Sequence, residues 1–279
     1  MENPAINCRR VKKVLVEFIR KRIENSEFQR AVLGLSGGID STVVAYLAVE
    51  ALGDPHDVYA LILPYRSYQS ESVKDARLIV RKLGINSQII KIDPMIEEYF
   101  MKFSYKRIPH HALPGSDASQ VKTLEYVRRG NKMARERMSI LYDWALSLRG
   151  LVLGTSNKTE LSMGYFTKYG DGGVDLEPLG DLYKTQVRQL ARYLGVPEPI
   201  INRRPSAGLW PGQTDEGELG ISYDELDKML YCMLEKKYSI KKLLTLGFSI
   251  ENIEKVKNFV KNSKHKRRLP PVARIRQGL

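Results

Sequence analysis

Cysteine is nearly absent from this chain: Cys8 and Cys232 are the only two in 279 residues. Two thiols cannot build a disulfide framework or a four-ligand zinc site, and such scarcity fits a reducing cytoplasm. Long apolar runs are missing too. No stretch approaches the roughly 20 residues a helix needs to span a bilayer, and the N-terminus has no signal-peptide core. The expectation is a cytoplasmic protein with no membrane segment. Internal repeats and low-complexity tracts are also lacking, which excludes solenoids and disordered linkers.

Acidic residues are absent from the last nineteen positions, where Lys261, Lys264, Lys266, Arg267, Arg268, Arg274 and Arg276 cluster. These seven supply about half of the net charge of +13; without them 38 basic residues face 32 acidic ones. A second basic group, Arg9, Arg10, Lys12, Lys13, Arg20, Lys21 and Arg22, falls on the first expected helix. Such clusters suit nucleic acid or a small substrate rich in phosphate, and charge alone does not choose. With 43% hydrophobic and 28% charged residues, the composition is that of a globular protein.

What is present is organised around residues 33–41, Leu-Gly-Leu-Ser-Gly-Gly-Ile-Asp-Ser. An apolar run at 31–35 reads as a buried parallel strand, and residues 40–50 read as the helix that follows. A strand ending in small residues at a helix start leaves backbone N–H groups pointing outward, with the positive end of the helix dipole behind them. Gly37 and Gly38 let the backbone approach a phosphate, and Ser36 and Ser41 add hydroxyls. The loop is not a Walker A motif, because Asp40 stands where that motif has Lys. Nor is it a dinucleotide fingerprint, because Ser36 occupies the second glycine position. An Asp within a phosphate cradle repels its ligand unless a cation lies between them, so Asp40 points to Mg²⁺.

The rest of the chain alternates in the manner of an α/β protein. A helix is expected over 6–25, strands over 57–63 and 87–92, and helices over 71–83 and 93–100. Residues 102–119, with His110-His111, read as an irregular insertion. A long helix over 120–148, broken near Gly130, leads to a strand at 151–153. That strand opens into Gly154-Thr155-Ser156-Asn157-Lys158-Thr159-Glu160, a second polar turn at a helix start. Glu160, about one turn beyond Thr155, brings a second carboxylate to the cleft; Asp40 and Glu160 form the expected metal pair. Glu160 is equally an acid favoured by the helix dipole in a first turn.

Residues 165–175 are dense in glycine, acids and aromatics and read as a shaped loop. Lys184 starts a helix ending near Gly195. Residues 205–220 read as a mobile lid or as a linker. Ser222 and Glu225 open a helix through 235 with a capping box; shorter helices follow near 240–246 and 250–260. The expected architecture is a single unit over 1–279: a doubly wound parallel sheet flanked by helices, a helical C-terminal annex and a basic tail at 261–279.

Ser-Gly-Gly-Ile-Asp-Ser, residues 36–41, resembles the pyrophosphate loop of the N-type ATP pyrophosphatases, with an adenine nucleotide alpha hydrolase-like fold. Phe-Thr-Lys-Tyr-Gly-Asp-Gly-Gly, residues 166–173, makes the resemblance more specific: over about 30–268 the chain resembles the NAD⁺ synthetase family. That resemblance implies an AMP-forming carbon–nitrogen ligase. ATP adenylates the nicotinate carboxylate of deamido-NAD⁺, and ammonia displaces AMP. It implies ATP contacts at Ser36, Gly37, Gly38, Ile39, Asp40, Ser41, Thr155, Lys184 and Ser206, the last a Thr in many members. It places deamido-NAD⁺ on Arg135, Lys168, Asp175, His265 and Lys266, and Mg²⁺ on Asp40 and Glu160. Lys184 and Asp171 are the expected catalytic pair. Asp171 would bind ammonium and accept its proton, although an Asp before two glycines is also a turn former. Glutamine-using members carry a large amidase domain first; only about thirty residues precede the phosphate loop here, so free ammonia is the expected nitrogen source. A homodimer, with the 120–148 helix at its interface, is expected by the same resemblance. The competing readings are a related ATP pyrophosphatase that adenylates a tRNA base, and a nucleotide sensor without activity.

Overall fold

The structure, a computed structural model, describes residues 4–66, 70–102, 118–210 and 212–273. Most of the insertion expected at 102–119, including His110-His111, lies outside these residues, as do Arg274 and Arg276.

The first helix, α1 (Cys8–Glu24), starts where the Asn7 side chain accepts the Arg10 N–H; Val16, Ile19 and Ile23 form its buried stripe. Then follow β1 (Arg30–Gly34), α2 (Ile39–Leu52), β2 (Val58–Ile62), α3 (Ser70–Leu83) and β3 (Asn86–Ile89). Next are α4 (Asp93–Lys102), α5 (Ala118–Leu148) and β4 (Gly150–Leu153). The strands form one parallel sheet in the order β3-β2-β1-β4, with Leu33 of β1 beside Ala60 of β2 and Leu153 of β4.

Side chains alternate across the sheet, as a period of two requires. Ala31, Leu33, Ala60, Ile62 and Leu153 pack with α1, α2 and α3, while Val32, Leu61 and Val152 pack with α4 and α5 through Ile96, Phe100, Met133 and Ala145. Both faces are covered, which is the doubly wound arrangement expected. Strand order reverses between β1 and β4, since β2 and β3 lie on one side of β1 and β4 on the other. Open α/β sheets bind ligands beyond the strand ends at such a switch point, and both polar turns emerge there.

The remaining helices are α6 (Lys158–Met163), α7 (Lys184–Tyr193), α8 (Glu198–Ile201), α9 (Asp215–Leu219), α10 (Tyr223–Leu230), α11 (Ile240–Thr245) and α12 (Ile250–Asn262). A π turn, Tyr231–Glu235, prolongs α10, and a 3₁₀ turn, Ser263–Arg267, follows α12. Here α6, α10 and α12 share a second core that includes Met163, Tyr183, Leu226, Leu230 and Ile253. Among the described residues no helix is long and apolar enough to cross a membrane.

Two expectations change. Helix α5 runs through Gly130 without a break, and a Cβ there would lie 2.8 Å from Leu209 Cδ1, so the position favours glycine. Close packing of the 205–210 segment offsets the roughly 1 kcal/mol that glycine costs inside a helix. The 205–220 stretch is not irregular throughout. Thr214 caps α9, Gly220 closes it, and Gln213, Asp215 and Leu219 are buried.

Candidate active site

The turn after β1 is closed by its own hydroxyls. Ser36 Oγ and Ser41 Oγ lie 3.0 Å apart, Gly38 N donates to Ser36 Oγ at 3.2 Å, and Ser41 Oγ donates to the Gly38 carbonyl at 3.1 Å. Gly37 has φ +80°, and a Cβ there would lie 2.2 Å from the Ser72 carbonyl oxygen. Only glycine fits. Gly38 is the N-cap of α2 and offers no side chain, so the first amides of that helix have no cap of their own and suit an anion. Ile39 is buried in the core, which leaves its backbone as the part able to meet a ligand.

Three charged groups meet beside this turn. Lys184 Nζ lies 2.5 Å from Asp40 Oδ2 and 3.2 Å from Glu160 Oε1. Asn157 Nδ2 donates to the other Asp40 oxygen at 3.0 Å. Asn157 also caps α6: its side chain accepts the Glu160 N–H, and Glu160 Oε2 accepts the Asn157 N–H. Glu160 thus sits at the third position of α6, fixed by a capping box. Thr155 precedes that helix altogether, so one helical turn is not what separates the two. The Lys184 side chain is 3% exposed. Burial alone would lower its pKa; Asp40, Glu160 and Asp215 outweigh that and hold it above the ordinary value. Burial, with Asp40 and Asp215 nearby, raises the Glu160 carboxyl, against the pull of Lys184.

These residues fit a divalent cation. Two carboxylates already converge on one positive charge, and hard oxygen donors are what Mg²⁺ takes. Among the described residues no group of three or more His, Cys, Asp or Glu could hold a metal. Mg²⁺ bound here would therefore take its remaining ligands from substrate phosphates and water, its usual habit in nucleotide enzymes.

Sequence reasoning missed further acids around this centre. Asp215 is buried and accepts from Tyr223 Oη at 2.9 Å and Tyr165 Oη at 3.3 Å. Glu177 curls over Gly154, where any Cβ would lie within 2.6 Å of its carboxylate, and accepts the Ser156 N–H at 3.1 Å. Burial, with Glu160 nearby, pushes the Glu177 carboxyl up to about 8. Asn157 stood inside a polar turn already singled out. Asp215 and Glu177 carry no local signal, since only tertiary contact brings them here.

The 165–175 loop lies along α5. Asp171 Oδ1 accepts the Thr167 N–H at 2.8 Å, the bond of a turn former. Its crowded surroundings raise its pKa, opposed by that bond and by Lys266 and Arg137, although the side chain remains open to solvent. Lys266 Nζ donates to the Gly164 carbonyl at 2.7 Å and the Phe166 carbonyl at 2.8 Å. It is a brace for this loop. Arg135 donates to the Lys168 carbonyl from two nitrogens at 3.3 Å. Asp175 accepts the Val152 N–H at 2.8 Å and the Tyr142 hydroxyl at 3.1 Å, which ties the loop to β4. His265 is exposed, Thr155 half-buried, and Ser206 exposed with its hydroxyl accepting the Gly208 N–H. The fold brings Ser36 to Ser41, Glu160 and Lys184 together at one crevice, and gathers Arg135, Lys168, Asp171 and Lys266 around the neighbouring loop.

Residues 11–270 match the family model described as NAD synthase. The chain belongs to the NAD synthase family. A relative named NH(3)-dependent NAD(+) synthetase from Trichlorobacter lovleyi is 46% identical over 97% of this chain and 92% of its own length. One of the same name from Pyrococcus furiosus is 46% identical over 95% of this chain and 94% of its own length. Among solved structures, an NH3-dependent NAD synthetase from Campylobacter jejuni superposes with a TM-score of 0.77 at 29% identity, over 96% of this chain and all of that one. An NMN synthetase from Francisella tularensis superposes with a TM-score of 0.80 at 35% identity, over 97% of this chain and all of that one. This member of the NAD synthase family thus has its glycine turn, paired carboxylates and aromatic loop on the parallel α/β sheet that its relatives share.

Proposed function

We propose that the crevice between β1 and β4 forms NAD⁺ from deamido-NAD⁺, ATP and ammonia. The observation that carries the mechanism is one lysine ammonium held between two carboxylates beside a glycine turn. A carboxylate is a poor acyl donor because oxide would have to leave; adenylation replaces oxide with AMP. In the first half, a nicotinate oxygen attacks the α-phosphorus and the bond to pyrophosphate breaks. Lys184 and the amides at the start of α2 stabilise the charge that gathers on the leaving phosphates, and Ser36, Ser41, Thr155 and Ser206 orient ATP. Asp40 and Glu160 would hold Mg²⁺, which would supply charge neutralisation at those phosphates.

In the second half, ammonia attacks the acyl carbon and the bond to AMP breaks. Ammonium is not a nucleophile, so a base must take its proton, and Asp171 serves from within the loop that Lys266 braces. Arg135, Lys168, Asp175 and His265 hold the dinucleotide. Residues 205–212 close over the pair of substrates and keep water from the acyl-adenylate. Two copies pair through α5, whose Tyr126, Val127 and Leu146 are exposed.

The experiment compares kcat/KM for deamido-NAD⁺ with that for nicotinate mononucleotide, using ATP, Mg²⁺ and ammonium. A preference for deamido-NAD⁺ supports this reading. A preference for the mononucleotide aligns the chain with the NMN synthetase it resembles in shape.

A further inference from the structure

Helix α7 presents Lys184 at its first position, yet its N-cap, Tyr183, makes no side-chain capping bond. The missing cap comes from another layer. Asp227, on α10, accepts the Thr185 N–H with Oδ2 at 2.7 Å. Its other oxygen accepts the Thr159 hydroxyl at 2.6 Å, and Thr159 Oγ1 in turn accepts the Lys184 N–H at 3.0 Å. Thr159 is the neighbour of Glu160, and Thr185 the neighbour of Lys184. One carboxylate therefore grips the chain beside two of the three members of the charged centre.

We infer that Asp227 is a positioning residue for the reaction, clamping the starts of α6 and α7 so that Glu160 and Lys184 converge. This rests on the reading that Glu160 and Lys184 act on ATP. Asp227 is 0% exposed, and a buried carboxylate is costly unless its oxygens are bonded. Here both are, and both bonds run to active-site helices. Arg188, which also pairs with Asp224 at 3.5 Å, adds a favourable charge nearby. Leu226, one residue earlier, packs into the second apolar core without a polar bond to either active-site helix. A carboxylate at 227 serves the crevice, because catalysis responds steeply to the placement of charged groups.

The test is Asp227→Asn, which keeps the volume but turns an amide N–H₂ toward Thr159 or Thr185. The folded variant should lose about 10- to 100-fold in kcat. Calorimetric binding of ATP with Mg²⁺, measured without the second substrate, should weaken, and the KM for ammonium should stay unchanged. Leu226→Ala is the matched control: it should lower the melting temperature through a cavity yet keep kcat and ATP affinity. If Asp227→Asn does not fold, Thr159→Val cuts the same link and should show the same pattern. Wild-type kcat and ATP affinity in the variant that folds would overturn the clamp. So would equal losses in Leu226→Ala. Glu160→Gln and Lys184→Met test the underlying reading separately. Full activity in both would sink that reading, whereas losses there beside a wild-type Asp227→Asn would sink the clamp alone.

Discussion

Lys184 Nζ lies 2.5 Å from Asp40 Oδ2, joining the first residue of α7 to the first turn of α2 across 144 positions of sequence. The pair fixes where charge sits before any substrate arrives. Breaking it leaves Asp40 and Glu160 facing each other without a cation.

Lys184→Met should therefore destabilise the protein by on the order of 3 kcal/mol, as removal of one partner from a buried pair does. It should also lower kcat by about a hundredfold. The native ammonium titrates above its ordinary 10.5. Its contribution to stability is complete below that value and fades as pH rises through the native one. In denaturant melts the gap between wild type and variant should hold constant from pH 7 to pH 10 and begin to narrow only above 10.5.

Gly37→Ala should weaken ATP binding more than its single methyl group suggests. The added Cβ would strike the Ser72 backbone at a positive φ, so the turn must shift, at a cost of about 1–3 kcal/mol. The KM for ATP should rise while that for ammonium holds. An unchanged KM for ATP would separate this turn from the nucleotide.

Much of this was legible in the sequence, and the reasons are physical. The apolar run at 31–35 and the helical spacing of Val11, Leu15, Phe18, Ile19 and Ile23 are local patterns, and they gave β1 and α1 to within two residues. The polar turns at 36 and 154 follow strand ends, so their meeting depended only on strand order. Lys266 was harder. Sequence resemblance makes it a substrate contact, but its bonds to the Gly164 and Phe166 carbonyls come from a fold-back of about a hundred residues that no local pattern records. Glu177, Asp215 and Asp227 were missed for the same reason. Each is an ordinary acid until tertiary packing buries it.

Glu177 gives a pH prediction. Its folded carboxyl holds its proton up to about 8, while the unfolded one releases it near 4.5. Between those values the native state binds more protons than the unfolded state, so stability falls as pH rises. Glu177→Gln removes that slope and should gain on the order of 1–2 kcal/mol over wild type at pH 8, with little difference at pH 4. Parallel stability curves for the two proteins would contradict the assignment.

Lys266→Ala should loosen the 164–173 loop. Two part-buried carbonyls lose their donor, at about 1–2 kcal/mol, and proteolysis within the loop should speed up. The KM for deamido-NAD⁺ should rise and that for ATP stay nearly level. Equal losses for both substrates would mean that the brace supports the whole crevice and not the dinucleotide side.

The central claim is adenylation of a carboxylate, and isotope transfer tests it most directly. Deamido-NAD⁺ labelled with ¹⁸O in its nicotinate carboxylate is turned over with ATP, Mg²⁺ and ammonium, and the nucleotide products are weighed by mass spectrometry. The account predicts one labelled oxygen in AMP for each NAD⁺ formed, because the carboxylate oxygen that attacks the α-phosphorus leaves with it. Unlabelled AMP, or ADP with labelled inorganic phosphate, would contradict it.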